Sequence, residues 1–330
     1  MEQKLPSSFN TKRFLINNSA YLILIGLIVV SAILSPVFLS MQNIMNIFRQ
    51  QAPAMLLALG AMLVIITAGI DLSSGATLAI SNVMVAYFIT NLYYYTPSGI
   101  VLSIVVGIVI GVVFGCVNGL IITYLKMPSF IVTLATATII RGIAYVITFG
   151  STIRLPMDAV QNKGSVAFFN FGQGSLFGVI PYSACLVIII VILFWFIMRY
   201  TSYGRVLVAT GSNEDAARLA GINVRKYIFS AYAIAGLLAG IAGVLMTARA
   251  GIATPSMGSG FELNAIAAVV IGGASLAGGK GKVGNTVVGV FIIALIANIM
   301  TLMNVPPYPQ QIIQGLVIIV AVLLNAGKDK

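Results

Sequence analysis

The runs Phe14 to Phe48, Leu72 to Leu125, Gly164 to Met198, Tyr227 to Ala248 and Val283 to Gly327 contain no Asp, Glu, Lys or Arg. Runs this long without a charge do not belong on a water-exposed surface. One helix crossing a bilayer needs about 20 apolar residues, so Leu72–Leu125 and Val283–Gly327 are each long enough for two crossings and a turn. A transmembrane β-barrel would alternate apolar and polar side chains over segments of about 10 residues. The stretch "LVIIIVILFWF" does not alternate. Only 8% of the residues are charged, against about 25% in soluble domains. The expected fold class is an all-α membrane protein, a polytopic helical bundle.

The apolar pattern predicts about ten transmembrane helices, at 16–35, 53–70, 74–92, 99–124, 129–149, 180–200, 227–248, 263–277, 285–303 and 310–326. The eighth is short for a crossing, and a re-entrant or bent helix fits it as well. Lys4, Lys12 and Arg13 ahead of Ile16 have the look of a signal peptide. The apolar run is too long for one and lacks a clear small-residue cleavage site.

If the N-terminus is cytoplasmic and the spans alternate, the inner segments hold Lys4, Lys12, Arg13, Lys126, Arg199, Arg205, Arg218, Arg225, Lys226, Lys280, Lys282, Lys328 and Lys330. The outer segments and the spans hold Arg49, Arg141, Arg154, Lys163 and Arg249. This is the bias of the positive-inside rule, and it predicts both termini in the cytoplasm. The net charge of +11 is then topological, and no nucleic-acid partner is expected. Residues 1–330 read as one transmembrane domain, with an extracytoplasmic segment at 150–179 and a cytoplasmic loop at 201–226.

His is absent, which removes the commonest proton shuttle and metal ligand. Cys116 and Cys185 lie inside apolar runs with no disulfide or metal spacing. No catalytic residues and no metal site are expected, because no nucleophile–base set is in sight. "GGASLAGGKGK" is not a phosphate loop. Ala274 stands where the first Gly of that motif belongs, and Gly281 follows Lys280 in place of Ser or Thr. Two spans carry small-residue stripes, Gly107, Gly111, Gly115 and Gly119 in one, Gly236, Gly240 and Gly243 in the other. Such stripes let helices approach closely, or slide.

One short stretch is dense in charge: "GSNEDAARLAGINVRKY", Gly211 to Tyr227. It predicts a surface helix over 212–221, capped by Ser212 with Asp215 as capping-box partner. Glu214 and Asp215 sit at the positive end of the helix dipole, and Glu214 pairs with Arg218 at i,i+4. Gly221 terminates the helix. About two turns are unstable alone, and the alanine face of Ala216, Ala217 and Ala220 suits a groove on a partner. A helix resting on lipid would favour bulkier apolar residues.

"DAARLAG" (215–221) resembles the Glu-Ala-Ala-x3-Gly motif in the cytoplasmic loop of binding-protein-dependent ABC importer permeases, with Asp215 in place of Glu. "LALGAMLVIITAGIDLSSGA" (57–76), "VNGLIITYLKMPSFIVTLATATIIRG" (117–142) and "AVVIGGASLAGGKGKVGNTVVG" (268–289) resemble the ribose-, xylose- and galactose-type sugar permeases of that class. The resemblance implies the permease subunit of an importer in a bacterial cytoplasmic membrane. It implies as partners ABC ATPase subunits, which bind the ATP and magnesium, an extracytoplasmic sugar-binding protein, and a second permease copy or a sister permease. In the family the loop is a coupling helix docked on the ATPase, which assigns that role to Glu214, Asp215, Ala216, Ala217, Arg218 and Gly221.

The translocation-path candidates are the polar residues in or beside spans: Asp71, Ser73, Asn82, Asn118, Arg141, Glu262 and Asn264. Each has a plainer reading. Asp71 and Ser73, with Ser74, suit a helix N-terminus. Arg141 lies deepest among the charges, and it fits a sugar hydroxyl, a carbonyl or Glu262. The asparagines, Asn298 among them, suit hydrogen bonds between helices. Nucleoside and branched-chain amino acid permeases share the architecture and stay open as alternatives. An ion-coupled transporter would need acidic or His groups in mid-membrane, and Asp71 and Glu262 lie near span ends.

Overall fold

A computed structural model describes residues 19–93, 96–156 and 163–326. Each of the ten apolar segments carries a helix. In chain order the elements are α1 (Ser19–Leu34), α2 (Met41–Ile66), α3 (Ser74–Phe88, followed by a π-helical turn Ile89–Tyr93), α4 (Pro97–Tyr124) and α5 (Ser129–Thr148). Then come β1 (Ile153–Arg154), α6 (Lys163–Gln173), β2 (Ser175–Leu176), β3 (Ile180–Pro181), α7 (Tyr182–Tyr200), α8 (Ser202–Ser212) and α9 (Glu214–Leu219). The chain continues through α10 (Val224–Ala250), β4 (Ile252–Ala253), α11 (Phe261–Ile271), α12 (Val283–Leu302) and α13 (Pro307–Ala326). Among the described residues α2, α4, α5, α7, α10 and α12 are long and apolar enough to cross a bilayer; α1 and α11 are apolar but shorter. The chain is an all-α, multi-pass membrane protein. The termini expected in the cytoplasm lie outside the described residues.

Burial divides the helices into a centre and a rim. The most apolar stretch of α2 is 78% buried and that of α10 61%, against 22% for α7. The centre is therefore α2 and α10, and α4, α5 and α7 turn apolar faces outward to lipid. The small-residue stripes form the seam at the centre. A Cβ on Gly111 would stand 2.7 Å from the Cα of Gly240, and one on Gly236 2.7 Å from the Cα of Gly115. The two stripes face each other, α4 on α10. On the neighbouring α3, Ser81 donates its hydroxyl to the Gly240 carbonyl at 2.8 Å.

The second helix begins earlier than its sequence pattern suggests. The second span is expected to start at residue 53, yet α2 runs unbroken from Met41 with Pro53 inside it. Ser40 caps it by accepting from the Asn43 N–H at 3.3 Å. Gln50 and Gln51 line a cavity between helices, and a proline is tolerated in a membrane helix, where neighbouring groups can satisfy the freed backbone. At the other extreme, the eleven residues of α11 rise only about 16 Å, roughly half a hydrocarbon core.

Residues 150–179, the expected extracytoplasmic segment, contain the helix α6. Gly172 packs on the backbone at Ala248, and Gln173 donates its amide to the Arg249 carbonyl at 2.6 Å. β1 pairs antiparallel with β4, which ties this segment to the chain just after α10.

The charged stretch differs in detail from its expected form. Asn213, not Ser212, caps α9, accepting from the Ala216 N–H at 2.9 Å. Ser212 ends the preceding helix α8 and bonds back to the Val208 carbonyl. Asparagine and serine cap about equally well, so the register is set by where α8 stops.

Candidate functional site

The α9 helix is held by its own caps and by its seat. At its end the Gly221 N–H reaches the Arg218 carbonyl and the Ile222 N–H reaches the Ala217 carbonyl, at 3.0 and 3.1 Å. Gly221 has φ +80°, the left-handed turn that this closure needs. Glu214 and Arg218 form the expected pair at 2.5 Å, the one ion pair among the described residues. Both side chains are more than half exposed, so the pair stiffens α9 by only about 0.3–0.5 kcal/mol. Ala217 is buried and seats the helix, while Leu219 stands 90% exposed. The predicted alanine face is thus only partly a docking face. Ala216 and Ala220 are exposed, but so is a bulky leucine beside them.

The seat is made of backbone. The Gly279 N–H donates to the Ile66 carbonyl at 2.9 Å. Gly211 lies against that same carbonyl with no room for a Cβ. The end of α8, the end of α2 and the loop between α11 and α12 therefore meet at one point beside α9. Gly278 and Gly279 hold positive φ there.

A polar knot lies near the same end. The Asp71 Oδ1 atom accepts from the Ser73 N–H at 2.8 Å and from the Ser73 hydroxyl at 2.6 Å. Asn118 of α4 donates its amide to that hydroxyl's oxygen at 2.8 Å. Three candidates picked out in sequence are thus one network. It anchors the chain entering α3, whose N-cap Ser73 makes no side-chain cap bond of its own. Leu72 N–H and Ile70 N–H continue the anchoring onto Thr133 and Ser129 of α5 at 3.1 Å each.

Asn82, Arg141 and Glu262 converge on the segment 251–260. Fully buried Asn82 donates to the Thr247 hydroxyl at 2.8 Å and to the Ile252 carbonyl at 3.2 Å, and accepts from the Thr254 N–H. Arg141 donates to the carbonyls of Pro255 and Met257 at 2.7 and 3.0 Å. Of its three readings the structure shows the carbonyl one, and no ion pair joins it to Glu262. Glu262 accepts from the Gly260 N–H at 3.2 Å, with its other oxygen buried against Gly75 and unpartnered. These three shape a non-helical stretch that, inside a bilayer, must have its backbone satisfied by protein.

Asn264 stands apart from the rest, in a cavity of about 200 Å³ among α2, α11, α12 and α13. Its polar lining is Gln50, Gln51, Asn264, Gln314 and Arg249, with no carboxylate. Gln50 is sixteen residues from the end of α2 at Ile66, about 24 Å along the helix, so the cavity lies far from α9. The sequence reading missed Gln50, Gln51, Gln314 and Arg249. Gln314 lies within the predicted span 310–326 and was open to the same reading as the other span amides, whereas Gln50 and Gln51 follow Gln42, Asn43, Asn46 and Arg49 outside any predicted span. No cluster of His, Cys, Asp or Glu that would hold a metal occurs among the described residues, and Cys116 and Cys185 are free thiols.

Residues 43–322 match the family described as the permease component of the branched-chain amino acid transport system. The chain is 44% identical to a ribose import permease protein of Bacillus subtilis over 92% of its own length and 90% of the relative's. It is 36% identical to a ribose import permease protein of Escherichia coli, over 97% and 96%. A xylose transport system permease protein of Haemophilus influenzae is 34% identical over 96% and 98%. No solved structure matches it.

Proposed function

This chain belongs to the permease-component family of the branched-chain amino acid transport system, and from that premise we propose that it is the membrane subunit of an ATP-driven importer of a monosaccharide. The observation that carries the sugar reading is 34–44% identity over nearly the whole chain to permeases named for ribose and xylose. The cavity supports it on chemical grounds. Its polar lining is four amides and one cation, Arg249, with no carboxylate among the described residues to take an ammonium group. Amide groups both donate and accept, which matches the hydroxyls of an uncharged polyol.

In this reading α9 is the contact for the ATPase subunits, which bind ATP and magnesium; the chain supplies no catalytic step. An extracytoplasmic binding protein delivers the sugar, and a second permease copy or a sister completes the pathway. The chain sits in a bacterial inner membrane, with α9 on the cytoplasmic side. ATPase closure displaces α9 and α8. The Gly211–Ile66–Gly279 junction passes that displacement to α2 and α11, and both helices line the cavity. The path is then Gln50, Gln51, Asn264 and Gln314. Asp71, Ser73, Asn82, Asn118, Arg141 and Glu262 position its walls rather than meet the sugar.

The test is uptake by vesicles holding this chain with its ATPase and binding protein. Gln50→Leu combined with Gln314→Leu should cut labelled-sugar uptake by tenfold or more, an estimate from two lost hydrogen bonds at about 1 kcal/mol each, with ATP hydrolysis retained. Unchanged uptake would remove the cavity from the path. Uptake of leucine in place of any sugar would overturn the substrate class.

A further inference from the structure

A second and larger groove, about 710 Å³, opens at the end of the molecule where α7 stops and α12 begins, bordered by the first turn of α1. It is separate from the amide cavity and shares no residue with it. Its charged lining is Arg199 and Lys282, with no Asp or Glu. Neither cation has an ion-pair partner among the described residues. Arg199 lies over the Tyr200 ring, 5.7 Å from its centroid.

The rest of the lining has the character of a membrane boundary. Trp195 and Tyr21 stand in the groove, 45% and 41% exposed. Trp and Tyr concentrate where the hydrocarbon meets the headgroups. Tyr21 donates its hydroxyl to Asn285 at 3.1 Å, which pins α1 to α12 across the groove floor. Lys282 is the N-cap of α12 and provides no side-chain cap, so the first-turn N–H groups at Gly284 and Asn285 add to the positive field. Directly along α7 from Arg199, Ile188, Ile192 and Leu193 are about half exposed or more, an apolar strip that continues the groove into the bilayer.

We propose that this groove is a binding site for one anionic phospholipid. The phosphate sits between Arg199 and Lys282, Trp195 and Tyr21 flank the glycerol level, and the acyl chains lie along α7. Charge complementarity selects the lipid class. Arg199 and Lys282 lie at helix ends, on the side of the bilayer where basic pockets between helices take anionic headgroups, and no carboxylate among the described residues lines the groove with them. The apolar strip adjoins the two cations along α7, so a lipid can meet both at once, its phosphate at Arg199 and Lys282 and its chains on Ile188 and Ile192, which a soluble phosphate cannot.

The experiment uses the full chain purified from its membrane, stripped with detergent and placed in nanodiscs of phosphatidylcholine with a minor fraction of phosphatidylglycerol. Native mass spectrometry then reads the lipid that stays bound. One phosphatidylglycerol should be retained per chain in preference to phosphatidylcholine. Arg199→Gln and Lys282→Gln should each weaken retention about fivefold, taking about 1 kcal/mol per cation near an anionic surface. Arg199→Lys with Lys282→Arg keeps both charges and should keep the lipid, and size-exclusion profiles confirm that each variant is folded. Equal retention of the two lipids, an unaffected double Gln variant, or displacement by soluble glycerol phosphate would each overturn the proposal. So would a Trp195→Cys variant that crosslinks to a second copy of the chain, since the groove would then be a protein interface.

Discussion

Gly211 lies against the carbonyl oxygen of Ile66 so closely that no Cβ fits between them, and that oxygen is already held by the Gly279 N–H at 2.9 Å. The clash is with backbone, which cannot rotate away as a side chain would. Gly211→Ala therefore has to move either α8 or the end of α2. Overpacking of this kind costs about 1–3 kcal/mol. The expected outcome is a variant that inserts and still retains its ATPase, because α9 is untouched, but whose sugar uptake falls well below its ATP hydrolysis. The ratio of the two rates in vesicles measures it, and an unchanged ratio would show that the junction does not transmit motion.

The glycine seam predicts opposite signs for the same substitution at two places. A Cβ on Gly111 would meet the Cα and N of Gly240 at 2.7 and 2.8 Å, whereas one on Gly142 meets nothing within 4 Å. Gly111→Ala should lower stability by about 1–3 kcal/mol by forcing α4 from α10. Gly142→Ala lies in a helix interior and should raise it by about 0.5–1 kcal/mol. Thermal unfolding in detergent separates the two, and equal shifts would mean that the seam is loose.

Leu219 and Ala217 are two residues apart on α9, one 90% exposed and the other 5%. Leu219 offers the largest exposed apolar side chain on α9, and covering it against a partner removes that area from water. Leu219→Ala should weaken co-purification of the ATPase several-fold and leave the melting temperature in place. Ala217→Glu buries a charge and should lower both. If Leu219→Ala keeps the ATPase at full strength, the contact lies elsewhere on the loop.

The Gly107–Gly119 and Gly236–Gly243 stripes were legible as close-packing faces because helical spacing alone puts them on one side. That they face each other was not, since pairing depends on the whole chain path. Glu214–Arg218 was legible for the same local reason. The start of α2 was not. The polar residues Arg49, Gln50 and Gln51 fall outside the predicted span, yet they belong to the helix, and Gln50 and Gln51 line the cavity between helices. The cap of α9 was misplaced by one residue because Ser212 and Asn213 are both good caps and only α8 decides between them. Asp71, Ser73 and Asn118 were each visible as candidates, but their union is tertiary, with Asn118 forty-five residues from Ser73.

Asn43 and Asn298 carry the most specific energetic prediction. Their side-chain amides bond reciprocally, Asn43 to Asn298 at 3.1 Å and Asn298 back to Asn43 at 2.9 Å, and Asn43 also donates to the Phe38 carbonyl. This pair joins α2 to α12 beside the apolar cluster of Phe38, Ile47, Ala294 and Leu295. Asn298→Leu removes one partner and leaves the other amide half-satisfied, which costs about 1–3 kcal/mol. Asn43→Leu costs as much or more, because it also frees the Phe38 carbonyl. With both replaced, no amide remains stranded between the helices and two leucines fill the space, so the double variant should lose less than the sum of the singles by about 1 kcal/mol. Unfolding of the four proteins in one detergent closes the cycle. Strict additivity would mean that the two amides do not depend on each other and that water satisfies them separately.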